Sequence, residues 1–434
     1  MKESTMTVAV DADGFKGAAC LIPAALARGG NRLGPGGWPP RSAYLHVPFC
    51  HRRCFYCDFP VVPLGDHASA EAGAPGSTSI SRYLQLLHRE IVAAAPGPPL
   101  STVYVGGGTP SLLSDEQLRQ LLLALRRRYG IAPGAEVSLE LDPASFDQTR
   151  LAAYLAAGVN RVSLGGQSFS DAVLEQLGRR HRCADLMEAA GWLQQAQRSG
   201  RLQSWSLDLI QGLPGQTLAS WREQLEQAIA FKPPHLSVYD LIVEPGTVFE
   251  RLERRGALAL PESDLAADLM ELTAERLAAA GYGHYEISNY ALPGHASRHN
   301  RVYWSGGGWW GFGMGATGAP WGVREARPRT REGYAAWLEQ AERAVPVGLE
   351  PAEGMPLDEQ WMVGLRRREG VLLEVPAALL RRWQPFVEQG LLRREGPRWR
   401  LSDPEGLALS NAVLRELLEW WEEGSGAAAP QPIP

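Results

Sequence analysis

What most limits the fold of this 434-residue chain is a rhythm: six short runs of β-forming residues, each followed by a helical pattern. The strand candidates are 42–47, 102–106, 137–141, 161–164, 204–210 and 236–241. Helical periodicity follows at 81–95, 114–129, 147–157, 183–198, 219–231 and 262–280. Strand-then-helix repeated six times predicts a parallel α/β sheet, barrel-like or doubly wound.

Side chains alternate along a strand with period two, so each run can be split into two faces. Leu45 and Val47 oppose Tyr44 and His46, and Val103 and Val105 oppose Tyr104, Gly106 and Gly108. Val137, Leu139 and Leu141 oppose Ser138 and Glu140, while Val162 and Leu164 oppose Ser163, Gly165 and Gln167. Trp205, Leu207 and Leu209 oppose Ser206 and Asp208. One face of every strand is aliphatic and suits a helical layer. The other carries polar or tiny residues toward the C-terminal end. Tyr44, Glu140, Gln167 and Asp208 are costly to bury unpaired, and strand C-termini are where α/β barrels place their sites. The alternative is that they are strand-end polar residues meeting water.

The first strand runs into Cys50-His51-Arg52-Arg53-Cys54-Phe55-Tyr56-Cys57, a C-x3-C-x2-C loop. Iron–sulfur clusters are held by cysteine thiolates, and three thiolates leave one iron of a four-iron cubane open. A zinc site needs a fourth ligand; His46 or His51 are the nearby candidates, and there is no second C-x-x-C. The other two of the five cysteines, Cys20 and Cys183, are isolated, which speaks against a disulfide framework. On the next strand end lies Gly106-Gly107-Gly108-Thr109-Pro110, where glycines let backbone approach a ligand closely. No Gly-Lys-Ser/Thr follows, so it is not a P-loop.

Together these stretches resemble the oxygen-independent coproporphyrinogen III oxidase family of radical S-adenosylmethionine (SAM) proteins. The resemblance rests on Tyr44-Leu-His-Val-Pro-Phe-Cys50, the cysteine loop, the glycine run, Glu140-Leu-Asp-Pro143, Gly165-Gly-Gln-Ser-Phe169 and the run from Asp208 to Thr217. Glu244-Pro-Gly-Thr247, Tyr285-Glu-Ile-Ser-Asn-Tyr290 and Arg298-His-Asn-Arg-Val-Tyr-Trp304 are similar to its haem-chaperone branch, the HemW proteins. The resemblance implies a partial (β/α)6 TIM-like radical SAM barrel with a small C-terminal winged-helix-like domain. It implies a [4Fe–4S] cluster on Cys50, Cys54 and Cys57. It implies SAM contacts from Tyr44, Tyr56, Gly108, Thr109, Glu140, Gln167, Arg179 and Asp208. It makes His299 a candidate haem ligand if 298–304 is helical or sharply turned, with Arg298 or Arg301 beside a propionate; the alternative is a histidine that merely caps a loop.

Two functions fit. One is a haem chaperone that passes haem to an apo-haemoprotein, without coproporphyrinogen oxidase activity. The other is the oxidase itself. Oxidases carry a further cysteine after the loop, whereas here Asp58-Phe59 follows Cys57, as in the chaperone branch. Gly166 stands where the family usually has Val, which is expected to loosen that turn. A flavodoxin or ferredoxin is the kind of electron donor implied.

The expected domains are a flexible Gly/Pro/Ala-rich extension over 1–40, the barrel over 41–325, a C-terminal domain over 326–423, and a disordered tail over 424–434. Residues 65–79 read as a surface insertion, and 306–315 as a tight glycine-rich closing segment. A net charge of −5 argues against a nucleic-acid partner. No apolar run approaches the ~18 residues of a membrane span. The N-terminal stretch lacks the basic start of a signal peptide, so a cytoplasmic protein is expected.

Overall fold

The computed structural model describes residues 40–343 and 355–424. The expected extension before residue 40 and the tail after residue 424 lie outside the described residues. Six parallel strands appear where the alternation places them: β1 (Ser42–Val47), β2 (Leu100–Gly107), β3 (Ile131–Leu141), β4 (Arg161–Gln167), β5 (Ser204–Gln211) and β6 (His235–Asp240). They are neighbours in chain order. The crossover helices are α1 (Ser77–Ala93), α2 (Asp115–Arg128), α3 (Gln148–Ala157), α4 (Cys183–Arg198) and α5 (Leu218–Ala230), with α6 (Ser263–Ala279) after β6. α1 begins inside the expected 65–79 insertion, at Ser77. Local chemistry sets several starts. Ser114 and Gln117 form a capping box before α2, and Asp147 and Thr217 cap α3 and α5.

The sheet is extended at both edges. An antiparallel hairpin, β7 (Gly283–Glu286) and β8 (Asn289–Ala291), adds beyond β6. At the other edge β9 (Trp310–Phe312) pairs in parallel with β1. The glycine-rich segment is therefore itself a strand. Gly311 allows it, because a Cβ there would lie 2.4 Å from the Thr317 carbonyl oxygen. The nine strands form an open sheet, so the barrel is partial. The aliphatic strand faces pack under the helices: Leu45, Val47, Val103, Val105, Leu139, Leu164, Leu207 and Leu209 share one core and are fully buried.

After β8 come α7 (Arg298–Trp304) and α8 (Arg331–Arg343). Tyr334, Trp337 and Leu338 of α8 belong to the barrel core. The expected boundary at 326 is thus corrected: residues 331–343 pack with the barrel because their apolar face completes the α1 side. A second core starts at α9 (Leu357–Leu365) and continues through β10 (Val371–Leu372), α10 (Ala377–Glu388), β11 (Leu392–Glu395), β12 (Arg398–Leu401) and α11 (Ser410–Gly424). Its antiparallel sheet has the order β10-β12-β11, which with three flanking helices is a winged-helix-like arrangement. It meets the barrel through a bridge between Glu286 and Arg367 and a contact between His284 and Asp403.

Candidate functional site

A cavity opens at the C-terminal ends of the strands, and the cysteine loop forms one wall. Cys50, Cys54, Tyr56 and Cys57 line it after β1, Gly108 and Thr109 after β2, and Glu140 at the end of β3. Gln167 enters at the end of β4, Arg179 after it, and Asp208 from β5. Ten of the twelve residues singled out from the sequence thus meet in one place; Tyr44 and His299 do not line it.

The loop is held on both sides. Phe49 and Cys50 pair with Val62 and Pro63, the Phe55 N–H donates to the Leu177 carbonyl at 3.0 Å, and the Phe55 carbonyl accepts from Phe249 N–H at 3.1 Å. The glycine run seats it from beneath: Gly108 N–H donates to Val47 O at 2.8 Å and Thr109 N–H to Phe49 O at 2.6 Å. Gly107 has φ 120°, and a Cβ on Gly108 would stand 2.6 Å from Phe49 O and 2.9 Å from Cys50 Sγ. Only glycine permits that approach.

Burial pushes the Cys50 thiol up to about 12 and the Cys57 thiol to about 11. Iron binding would displace these protons, since the thiolate is the ligand. Thr109 Oγ1 donates to Cys50 Sγ at 3.5 Å, and Arg179 Nη1 to Cys54 Sγ at 3.6 Å. Hydrogen bonds to sulfur are a means of tuning a cluster. Among the described residues no three His, Cys, Asp or Glu side chains converge closely enough to hold one metal ion. Three thiols spread along a loop fit a cubane, whose ligands sit on different irons, better than one tetrahedral ion.

Arg179 is the hub of the opposite wall. Its Nη2 donates to Asp142 Oδ2 at 2.6 Å and to Gly165 O at 2.9 Å. Burial opposes the charge on Asp142, but Arg179 and His181 outweigh it and hold the carboxyl well below the usual range. Arg179 Nε is buried without a partner among the described residues, a donor left for a bound molecule. Glu140 accepts from Gly107 N–H and Tyr104 Oη, both at 2.9 Å. Asp208 accepts from Ser163 at 2.6 Å and Ser206 at 2.7 Å. Each carboxylate oxygen has two lone pairs, so both residues retain capacity for a ligand donor.

Three expectations need correction. Gln167 reaches the cavity, but not by simple alternation: a register shift separates it from Gly165, and its backbone is left-handed (φ 64°). At Gly166 the space a valine would take is occupied from the neighbouring elements. A Cβ there would lie 2.8 Å from Leu207 and 3.0 Å from Leu186, so those leucines already fill the valine's space. Tyr44 hydrogen-bonds the His46 ring at 2.9 Å, inside the barrel.

His299 lies on α7, which is helical as its haem role required. Yet its ring is fully buried against the N-terminal half of β2, where its partner Thr102 lies about 16 Å along the strand from Gly107 at ~3.3 Å per residue. Nδ1 meets Thr102 Oγ1 at 2.7 Å, Nε2 meets Tyr303 Oη at 2.7 Å, and Tyr104 stacks on the ring. Burial lowers its pKa to about 3. Neither nitrogen is open to a metal in this arrangement. Arg301 pairs with Glu369 at 2.7 Å and Arg298 with the Gly134 carbonyl at 2.8 Å.

Comparison with known proteins places this geometry. Residues 44–228 match the Radical SAM superfamily. Heme chaperone HemW of Synechocystis is 42% identical, covering 88% of this chain and 98% of the relative. Heme chaperone HemW of Mycobacterium tuberculosis is 40% identical, covering 89% and 97%. This chain belongs to the HemW family of radical SAM proteins. The structure of coproporphyrinogen III oxidase (HemN) from Escherichia coli shares the fold, with TM-score 0.70 over 87% of this chain and 90% of that one, at 21% identity. Sequence reading did not single out three residues that line the cavity, Asp142, Tyr239 and Asp240, and it placed Ser163 only on the polar face of its strand. Asp142 was within reach, since it sits inside the quoted Glu140–Pro143 motif.

Proposed function

We propose that this protein is a haem chaperone in which Cys50, Cys54 and Cys57 hold a [4Fe–4S] cluster, SAM occupies the cavity behind it, and bound haem is handed to an apo-haemoprotein. The observation that carries the cofactor part is the joint placement of three thiols and seven further motif residues around one cavity, with Arg179 Nε unpartnered there. When bound, the cluster supplies an open coordination position and a one-electron source beside SAM. The chain's own residues then orient and enclose. Gly108 and Thr109 stand at the methionine end, while Glu140, Gln167, Arg179 and Asp208 offer acceptors and donors along the cavity. Cys57-Asp58-Phe59, without a further cysteine, supports the chaperone over the oxidase. An electron donor of the flavodoxin or ferredoxin type would act at the cluster. No described helix is long and apolar enough to cross a membrane, in keeping with a proposed cytoplasmic role.

The deciding experiment gives the anaerobically reconstituted protein haem and an apo-cytochrome in one arm and coproporphyrinogen III with SAM and reductant in the other. Haem transfer without decarboxylation is the expected result. Formation of protoporphyrinogen would overturn the chaperone reading in favour of the oxidase.

A further inference from the structure

Below the cysteine-loop cavity, on the inner face of the sheet, polar side chains form one continuous row that starts at Asp208. Alternation along β5 puts Ser206 on the same face as Asp208. The β5–β6 register then sets His235 opposite Ser206 and Ser237 opposite Asp208. Beyond His235 stands Tyr285 on β7, the strand that ends the sheet. Ser206, His235 and Ser237 are at most 3% exposed, so water takes no part in the row.

The direction of each hydrogen bond follows from the chemistry of the groups. A carboxylate only accepts. Ser206 therefore spends its single proton on Asp208 Oδ1 at 2.7 Å, and Ser163 spends its own on Oδ2 at 2.6 Å. Toward His235 Nδ1, 2.9 Å away, the Ser206 oxygen is then the acceptor, so Nδ1 carries the ring proton. Burial, with Arg161 and His295 alongside, holds His235 far below the usual imidazole range, and the neutral ring has no second proton. Its Nε2 lone pair accepts from Tyr285 Oη at 2.8 Å. Every proton in the row thus points toward the cavity: Tyr285 to His235, His235 to Ser206, Ser206 to Asp208.

Both ends of the row are informative. At the far end Tyr285 Oη accepts from the Ser297 N–H and from Asn300 Nδ2, each at 3.4 Å, and Asn300 Nδ2 also donates to Glu286 Oε1 at 2.8 Å. Two motif stretches that the cavity itself does not use, 285–290 and 298–304, therefore meet there. At the near end Asp208 lines the cavity with one serine on each carboxylate oxygen, and each oxygen keeps a second lone pair. The Nδ1–H of His235 braces Ser206 from behind and polarises its hydroxyl, because hydrogen bonds in a row strengthen one another. Without it, Ser206 is left with Ser237, 3.0 Å away, as an alternative partner.

We propose that His235 is a positioning residue for the cavity: by donating through Ser206 it fixes the Asp208 carboxylate with its free lone pairs turned toward a hydroxyl or ammonium donor of SAM. The inference rests on the SAM reading of the cavity and says what holds one of its contacts in place. It also gives the 285–290 stretch a task at the cavity from the opposite end of the sheet's inner face.

The test is calorimetric titration of SAM into the full-length, anaerobically reconstituted protein, with iron analysis of every variant. His235→Leu is expected to weaken SAM about tenfold at unchanged iron content, and His235→Asn, whose amide N–H can stand in for Nδ1–H, to bind within about threefold of wild type. In an Asp208→Ala background His235→Leu should cost nothing further, because its effect runs through Asp208. Nitrogen NMR of the histidine-labelled wild type should show His235 as the neutral Nδ1–H tautomer. Wild-type SAM affinity in a folded His235→Leu protein, an equal loss in the Asp208→Ala background, or an Nε2–H tautomer would each overturn the inference and leave the SAM reading standing. Should His235→Leu fail to fold, Tyr285→Phe takes its place: losing that hydroxyl releases Nε2 and should weaken SAM several-fold, and unaltered affinity would overturn the inference. A wild-type protein that binds no SAM would overturn the SAM reading and this inference with it.

Discussion

At the C-terminal ends of the strands, polar side chains surround open space; at the opposite end, around α7, they close on one another. Arg179 illustrates the first arrangement, with one buried nitrogen left over beside three thiols. His299 illustrates the second. Thr102 and Tyr303 take its two nitrogens, and Glu136 accepts from the N–H groups of Arg298 and His299. Both regions carry family motifs and both are buried. What separates them is whether the hydrogen-bonding capacity is already spent inside the protein. The motif at His299 thus fastens α7 to the barrel floor, while the motifs at the cysteine loop build a site.

The sharpest way to break this contrast is at Gly108. Gly108→Val sets a side chain against Cys50 Sγ and Phe49 O. Iron content and iron–sulfur absorption should fall to near zero while circular dichroism stays native. A full cluster in this variant would show that the loop is not seated on the glycine run.

His299→Ala should act on stability instead. It removes the hydrogen bonds to Thr102 and Tyr303 and opens a cavity, a loss on the order of 2–4 kcal/mol in denaturant unfolding. The pH dependence follows from the same burial. In the fold His299 protonates only near pH 3, against about 6.5 when exposed. As pH falls, the unfolded chain binds the proton first. The residue's contribution is therefore intact above about pH 6.5 and lost progressively toward pH 3. The variant should show a shallower decline across that window, and an unchanged slope would mean the histidine is not held neutral.

A smaller effect is expected inside the cavity. Glu140→Ala or Asp208→Ala should weaken SAM by about 1–3 kcal/mol while leaving cluster content intact, as read by calorimetry and iron analysis. Unchanged affinity in both would make them structural residues like Glu136. Smallest of all is Cys183→Ser, which should leave iron content at the wild-type level. Cys183 opens α4 and does not line the cavity.

The strand order and the site were legible because alternation and short spacing are local properties. Leu45 and Val47, or Glu140 beside Tyr104, follow from counting by two. What escaped depends on non-local packing. Gln167 enters through a bulge that alternation does not see. Trp310–Phe312 is a strand only because β1 offers it an edge. α8 looked like the start of a new domain, and its attachment is set by Tyr334 donating to buried Glu90 on α1 at 2.6 Å. His299 and His284 show the same limit. Their chemistry differs by partner, and Asp403, 119 residues further along the chain, is invisible beside His284 in sequence.

The central claim is that three thiolates hold a four-iron cluster with one iron open to SAM. Its most direct test is iron and sulfide analysis of the anaerobically reconstituted protein, with the electron paramagnetic resonance of the reduced cluster recorded with and without SAM. The account predicts about four irons and four sulfides per chain, a signal that changes when SAM is added, and loss of both in Cys50→Ser, Cys54→Ser or Cys57→Ser. Stoichiometric zinc without iron–sulfur absorption, or a cluster signal indifferent to SAM, would contradict it.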